Sequence, residues 1–445
     1  MNTVVKGPAL RKSRENNSND IFGIDIINED GHHFSLTEEQ ISRGMLAIGA
    51  PGFGKTVALL QIAKELRSRS TPEDVFVFFD TKGDYKRHLF TNGDAVLDYK
   101  RSAGNGTVTW NIFREILADG YEADNVYDNA YELSTILFSN KIDVSPNPFF
   151  PKNGRDVIMG ILFSIAMRGI SDPQFFQSEM NNQYLANFFR GEQFTPVNIA
   201  SILKEFPETR GIVTSFYNGK PDAVLSPQSQ GVLSEAAEVG REIFKGSFAA
   251  AGDFSMREFV RNKGAKALFV EYNLSVGNTL FPIYRALCDL ALKEALARET
   301  NVDGGRVYLF LDELRLLPAL QYLENAINFG RGMGLTIIAG IQNSDQINQA
   351  YGEEAMRSVL SSFGTAMIFN TSSGNTRQLI KERLGENQRL ENVPNVHGRM
   401  EELVKTSSVI EDWDITLLAK GQSIIHTVGE EPYKYRFPYR KEGLS

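Results

Sequence analysis

Short unbroken apolar runs recur along the chain, and each ends at a polar or glycine-rich junction. Met45-Leu46-Ala47-Ile48 stops at a glycine-rich loop, and Val75 to Phe79 stops at Asp80. Val307 to Leu311 stops at Asp312-Glu313, and Thr336 to Ile341 stops at Gln342. Runs without polar alternation predict strands buried on both faces. Helical patterns such as Val57 to Leu66 fall between them. This alternation predicts an α/β fold with a mostly parallel sheet covered by helices on both sides. Ala95 to Tyr99, Val108 to Ile112, Ala265 to Tyr272 and Thr365 to Asn370 read as further strands or extended segments. A closing hairpin is expected around Ser423–His426 and Tyr433–Arg436.

The texture changes between about Arg114 and Asp253. Helical periodicity dominates, as in Val126 to Leu137, and turn-rich breaks fall at Ser145-Pro146-Asn147-Pro148 and Gly219-Lys220-Pro221-Asp222. The expected organisation is a tail over 1–20, an α/β part over 21–113, an inserted all-α domain over 114–253, and a second α/β part over 254–445. The apolar run Val157 to Met167 is too short to span a bilayer and reads as a core helix.

Composition adds bounds. The 445 residues allow two or three domains, and 42% hydrophobic residues suit a globular protein with a sizeable core. The net charge of −8 does not advertise nucleic-acid binding, although a local basic surface can still take phosphates. The single cysteine, Cys288, excludes an intrachain disulfide framework and fits a reducing cytosol. The N-terminal segment, with Lys6, Arg11, Lys12 and Arg14, is polar, basic and without the apolar stretch of a signal peptide, and is expected to be a flexible tail.

The candidate chemistry begins at Gly49-Ala50-Pro51-Gly52-Phe53-Gly54-Lys55-Thr56, followed by Val57. This is a phosphate-binding loop in its required context, after a strand and before a helix. Glycines let successive N–H groups converge, and the helix N-terminus adds partial positive charge. Lys55 is expected to reach the terminal phosphates, and Thr56 to ligate Mg²⁺. The acids ending the Val307–Leu311 strand stand where an open α/β sheet places its ligand. Asp312 is the expected metal-shell carboxylate, and Glu313 the base that polarises an attacking water. Gln342, ending the next strand, can sense the γ-phosphate or cap the strand. Arg331, in Asn328-Phe329-Gly330-Arg331-Gly332-Met333-Gly334, can reach a neighbouring subunit's nucleotide or face solvent.

These residues together resemble the type IV secretion coupling proteins, ATPases within the wider FtsK/HerA-like group of hexameric DNA motors. The similarity is densest from Leu309 to Gln342 and on to Tyr351-Gly352. It extends to Asp80-Thr81-Lys82-Gly83-Asp84, Trp110-Asn111, Gly252 to Glu258, and Thr376 to Glu386. The resemblance implies a RecA-like P-loop NTPase domain with an inserted all-α domain, using ATP and Mg²⁺. It implies Arg331 as an arginine finger acting in trans and Gln342 as a nucleotide sensor. Implied partners are single- or double-stranded DNA, relaxase or relaxosome proteins, type IV secretion channel ATPases and further copies of the chain in a hexamer, monomeric before DNA binds. The family's two transmembrane helices have no counterpart here. The expectation is a cytoplasmic location, either as a soluble member paired with a separate membrane-anchor subunit at the inner face of the membrane or as a related cytosolic DNA motor. A HerA/FtsK-like cytosolic DNA translocase and a nucleotide-gated recruitment platform are the alternatives.

Overall fold

The computed structural model describes residues 3–14, 23–100, 104–217, 219, 225–298, 304–318, 320–394 and 400–438. The chain divides into two compact units. The first comprises Met1–Phe90, Gly264–Ala267 and Ala295–Ser445, and the second Thr91–Lys263 and Leu268–Glu294. The strands are β1 (Thr3–Lys6), β2 (Ile24–Ile27), β3 (His33–Leu36), β4 (Met45–Ile48), β5 (Val75–Asp80), β6 (Ala95–Asp98) and β7 (Lys266–Glu271). They continue with β8 (Val307–Leu311), β9 (Leu335–Ile341), β10 (Thr365–Ile368), β11 (Glu386–Pro394), β12 (Met400–Ser408), β13 (Gln422–Thr427) and β14 (Tyr433–Arg436).

In the first unit the strands run in the order β14-β13-β10-β4-β9-β8-β5. The five from β10 to β5 are parallel, and β13 and β14 add an antiparallel edge. Every residue of β4, β5, β8, β9 and β10 is buried, which is why these strands read as continuous apolar runs. Aromatic pairs lock β5 to β8 in register. Phe76 lies against Tyr308 at 4.8 Å between ring centroids, and Phe78 against Phe310 at 4.6 Å. That register carries Asp80 and Asp312 to the same edge of the sheet.

The N-terminal segment departs from the expected flexible tail. Over 3–14 it is a strap on the first unit, while 15–22 lie outside the described residues. β1 pairs antiparallel with β11, and Arg11 exchanges backbone hydrogen bonds with Pro432 and Lys434. Arg14 makes a two-pronged ion pair with Glu430, at 2.7 and 3.0 Å. Arg11 and Arg14, two of the basic residues that made the segment look solvated, answer Glu431 and Glu430, more than 400 positions away, a pairing that local pattern cannot reveal. The turn expected at 219–222 has its residues 220–222 outside the described set.

The second unit starts earlier than the expected boundary at 114. It takes in the parallel pair β6–β7 and most of the helix Gly277–Leu296. The segment 108–112, expected as a strand or an extended stretch, is extended, with one isolated bridge, Trp110 to Phe254. Asn111 then caps the helix Ile112–Ile116, its side chain accepting from the Phe113 N–H. The run 157–166 is buried along its whole length inside the helix Phe149–Ser171, as a core helix requires. Cys288 is also buried, and burial pushes its thiol up, so it is packing material. Among the described residues no helix is long and apolar enough to cross a membrane.

Polar groups close this unit. Glu115 is fully buried and receives hydrogen bonds from Trp110 Nε1 at 2.8 Å, Ser255 Oγ at 2.8 Å and the Met256 N–H at 2.6 Å. Entry to and exit from the helical segment are thereby tied together. Arg257, also fully buried, donates to Asp119 (2.7 Å), Asn129 (2.8 Å) and Glu132 (2.6 Å). Removing one partner of a buried charge network strands the rest, so Arg257→Met should destabilise the protein by about 3–5 kcal/mol. Urea unfolding followed by Trp110 fluorescence measures this, and a change below about 1 kcal/mol would show the network to be energetically idle.

Candidate nucleotide site

The loop from Gly49 to Gly54 leaves β4 and enters the helix Lys55–Ser68. Its glycines have defined tasks. Gly54 caps the helix at φ 106° and Gly52 sits at φ 84°, both in the left-handed region. A Cβ on Gly49 would stand 2.7 Å from that of Phe369. The loop is also tied to its surroundings. The Gly49 N–H donates to Ile341 O, the Ala50 N–H to Asn370 O, and the Gly421 N–H to Phe53 O, at 3.1, 2.7 and 2.9 Å.

Lys55 is buried inside this loop and donates to Gly49 O at 2.5 Å and Ala50 O at 3.3 Å. Burial lowers its pKa, against the opposing pull of Asp312 and Glu313. Thr56 Oγ1 donates to Asp312 Oδ2 at 2.8 Å. This bond joins the phosphate loop to the acidic end of β8. Asp312 is pushed up to about 6 by burial, with the Thr56 hydrogen bond and Lys55 acting in the other direction. Glu313 accepts from Gln342 Nε2 at 2.8 Å and from Arg315 Nε at 2.9 Å. Lys55, Thr56, Asp312, Glu313 and Gln342 therefore converge at the C-terminal edge of β4, β8 and β9.

Gly340 makes that convergence possible. A Cβ there would lie 2.1 Å from the Asp312 carbonyl oxygen, so only glycine lets β9 pass so close to the end of β8.

Arg331 is not brought to this group within the chain. It sits in a short 3₁₀ turn, Gly330–Met333, before the first residue of β9, whereas Gln342 follows the last. Seven strand residues, at about 3.3 Å each, separate the two sheet edges by roughly 20 Å. Arg331 is half-exposed and pairs with Glu39 at 3.1 Å.

Two cations at the site carry no assigned role in the reading of the sequence. Arg315 orients Glu313, and the charge of Lys82 acts on both Lys55 and Asp312. Lys82 follows Asp80, whose carboxylate gathers the N–H groups of Lys82, Asp84 and Lys86 at 3.3, 3.1 and 3.0 Å. The Asp-x-Lys-Gly pattern was the available signal. Arg315 lies in an ordinary post-strand turn and gave none.

The oxygen pair Thr56–Asp312 suits Mg²⁺, a hard cation that takes one or two protein ligands and fills its shell with water and phosphate oxygens.

A family model described as the type IV secretion-system coupling protein DNA-binding domain matches residues 32–198 and 231–408. The chain belongs to that family. Among curated relatives, this coupling-protein chain is 21% identical over 361 residues to coupling protein TraD of Escherichia coli (strain K12). The match takes in 77% of this chain but 44% of TraD, so the chain spans less than half of that relative's length. Among solved structures it is similar to the bacterial conjugative coupling protein TrwBdeltaN70 in complex with sulphate. The TM-score is 0.73 at 19% identity, over 99% of this chain and 95% of that one. TrwB in complex with ADP and Mg²⁺ gives a TM-score of 0.72 at 19% identity, again over 99% and 95%. VirB4 of Thermoanaerobacter pseudethanolicus gives 0.56 at 12% identity, over 98% of this chain and 100% of that one. The coupling-protein chain thus shares the α/β P-loop fold of these structures.

Burial raises Asp312, so its charged form opposes folding. The stability tied to this group is fully present below the unfolded value, near 3.8, and is lost as pH rises through about 6. In the metal-free protein Asp312→Asn should therefore raise the thermal midpoint at pH 7, and that gain should vanish below about pH 4. Mg²⁺-dependent nucleotide binding should be lost in the same variant. A midpoint unmoved at pH 7 would mean that the carboxylate carries no burial penalty.

Proposed function

We propose that this chain is an ATP-hydrolysing type IV coupling protein that recruits DNA and relaxase cargo and drives it into a conjugative secretion channel. The observation that carries this reading is the 2.8 Å bond between Thr56 and Asp312, with Glu313 and Gln342 beside it. It joins two halves of a nucleotide site that are 256 positions apart in sequence.

In this reading the N–H groups of the loop and Lys55 hold the β- and γ-phosphates. Thr56 and Asp312 hold Mg²⁺, which when bound neutralises charge on the phosphate oxygens. Glu313 takes a proton from a water that attacks the γ-phosphorus in line. The bond from that phosphorus to the bridging oxygen breaks, and ADP and phosphate leave. Gln342 and Arg315, both on Glu313, fix its orientation. TrwB has been solved with ADP and Mg²⁺, which supports the same ligands here.

Arg331 lies at the opposite sheet edge from its own phosphate loop, so it serves the nucleotide of a neighbouring copy in a ring, a hexamer in this reading. DNA, single- or double-stranded, is the translocated polymer, in keeping with the DNA-binding description of the family model. The relaxosome, the channel ATPases and a membrane-anchor subunit at the inner face of the membrane are the remaining partners.

Turnover measured with and without each form of DNA, beside a mass measurement, tests the reading. DNA-stimulated hydrolysis by an oligomer is expected, and a stable nucleotide complex that never turns over would point to a recruitment platform. Lys55→Ala should abolish turnover while the fold persists. Glu313→Gln should bind ATP but hydrolyse it about 10²–10⁴-fold more slowly. Arg331→Ala should keep nucleotide affinity and lose about 10³-fold or more in rate. Mixing these last two variants should restore part of the activity. A mixture no more active than its components would rule out a shared site.

A further inference from the structure

A cavity of about 580 Å³ lies in the first unit, between the helices over 344–384 and the ends of β4, β9 and β13. It falls within the range of small-molecule sites. Its walls are mainly apolar, with Ile48, Ile341, Leu360, Leu379 and Ile380 among them. Arg357 and Glu382, which pair with each other at 2.9 Å, line it too, as do Arg383 and His426.

These two residues hold the unusual chemistry. Arg383 Nε and His426 Nδ1 are both buried and without a hydrogen-bond partner. The remaining guanidinium nitrogens of Arg383 donate only to backbone carbonyls, Leu360 at 3.0 Å and also Ser361 and Phe363. They close the C-terminal end of the helix Glu353–Ser362. No carboxylate pairs with Arg383 among the described residues, and burial brings its pKa down to about 10. Burial, with Arg383 adding to it, holds His426 at about 4, so its ring is neutral at physiological pH. Arg257 and Arg285, more deeply buried, also leave Nε without a hydrogen bond, but each stands beside a carboxylate. Arg257 meets Asp119 and Glu132, and Arg285 lies 3.6 Å from Asp289. Buried charges are ordinarily paired, and each exception asks for a cause.

We propose that this cavity binds an apolar carboxylate. Its anionic head accepts from Arg383 Nε and from the His426 ring, and its hydrocarbon body lies along the Ile48, Ile341 and Ile380 wall. The counter-charge that the fold withholds from Arg383 is supplied by the ligand. Ile48 and Ile341 immediately precede Gly49 and Gln342, so the ligand would bear on the two strands that carry the nucleotide site. Binding itself does not depend on the nucleotide reading.

The test uses the full chain with sodium octanoate, followed by calorimetry and thermal melting. Octanoate should bind with one-to-one stoichiometry and raise the melting midpoint with concentration. 1-Octanol, which has the same chain and no charge, should bind at least tenfold more weakly. Leu379→Trp, which fills the cavity, should abolish binding while circular dichroism stays unchanged, and Arg383→Met should lose the preference for octanoate over octanol. If Arg383→Met fails to fold because its helix end is undone, the octanol comparison and Leu379→Trp still decide. Acetyl-Leu-Leu with a free carboxylate separates the two sources of such a ligand. Tighter binding than octanoate identifies a protein C-terminus, and weaker binding a free acid. Octanol binding as well as octanoate, octanoate binding intact in Leu379→Trp, or no saturable octanoate binding would each overturn the proposal.

Discussion

The passage of β9 past the end of β8 at Gly340 is the constraint on which the nucleotide edge depends. The backbone there comes so close to Asp312 that a single methyl would collide with its carbonyl oxygen. The approach puts Gln342, two residues on, within hydrogen-bonding reach of Glu313. It also keeps Asp312 in the register that meets Thr56. Three adjacent parallel strands therefore deliver their terminal side chains to one point, with no loop required to fold back. Such sites are precise because they sit on regular elements, where the backbone has little freedom to move.

The two units reach stability by different means. The first relies on strands buried on both faces and on aromatic pairs in register between β5 and β8. The second is threaded by buried charge and amide groups, with Glu115 and Arg257 collecting most of the bonds. Hydrophobic packing tolerates substitution of similar volume, whereas a buried polar network does not. The second unit is for that reason the more specific in its sequence requirements.

Much of the site was legible because its parts are local. Gly49 to Thr56, Asp312-Glu313 and Gln342 each end a strand, and an unbroken apolar strand is the strongest pattern a sequence carries. The family resemblance placed them in one site, and the geometry brings them together. What stayed hidden was long-range or fell in unremarkable turns. Arg315 follows its strand with no special spacing, and nothing marks its bond to Glu313. The N-terminal strap looked like a tail because its partners, Glu430 and β11, lie at the far end of the chain. The segment 108–112 read as a strand or an extended stretch, and it is extended: Trp110 and Ile112 are buried, but a single bridge at Trp110 does not make a strand. Burial and pairing are separate facts, and the apolar pattern reports only the first.

The strap also fixes an order of events in the making of the molecule. Thr3 pairs with Leu390. A ribosome adding about 5–20 residues per second leaves β1 waiting roughly 20–80 s for its partner strand. A strand made so long before its partner must therefore be among the last to settle. It spends that interval as a polar, basic, soluble thread, a character that guards it against pairing with the apolar strands emerging behind it.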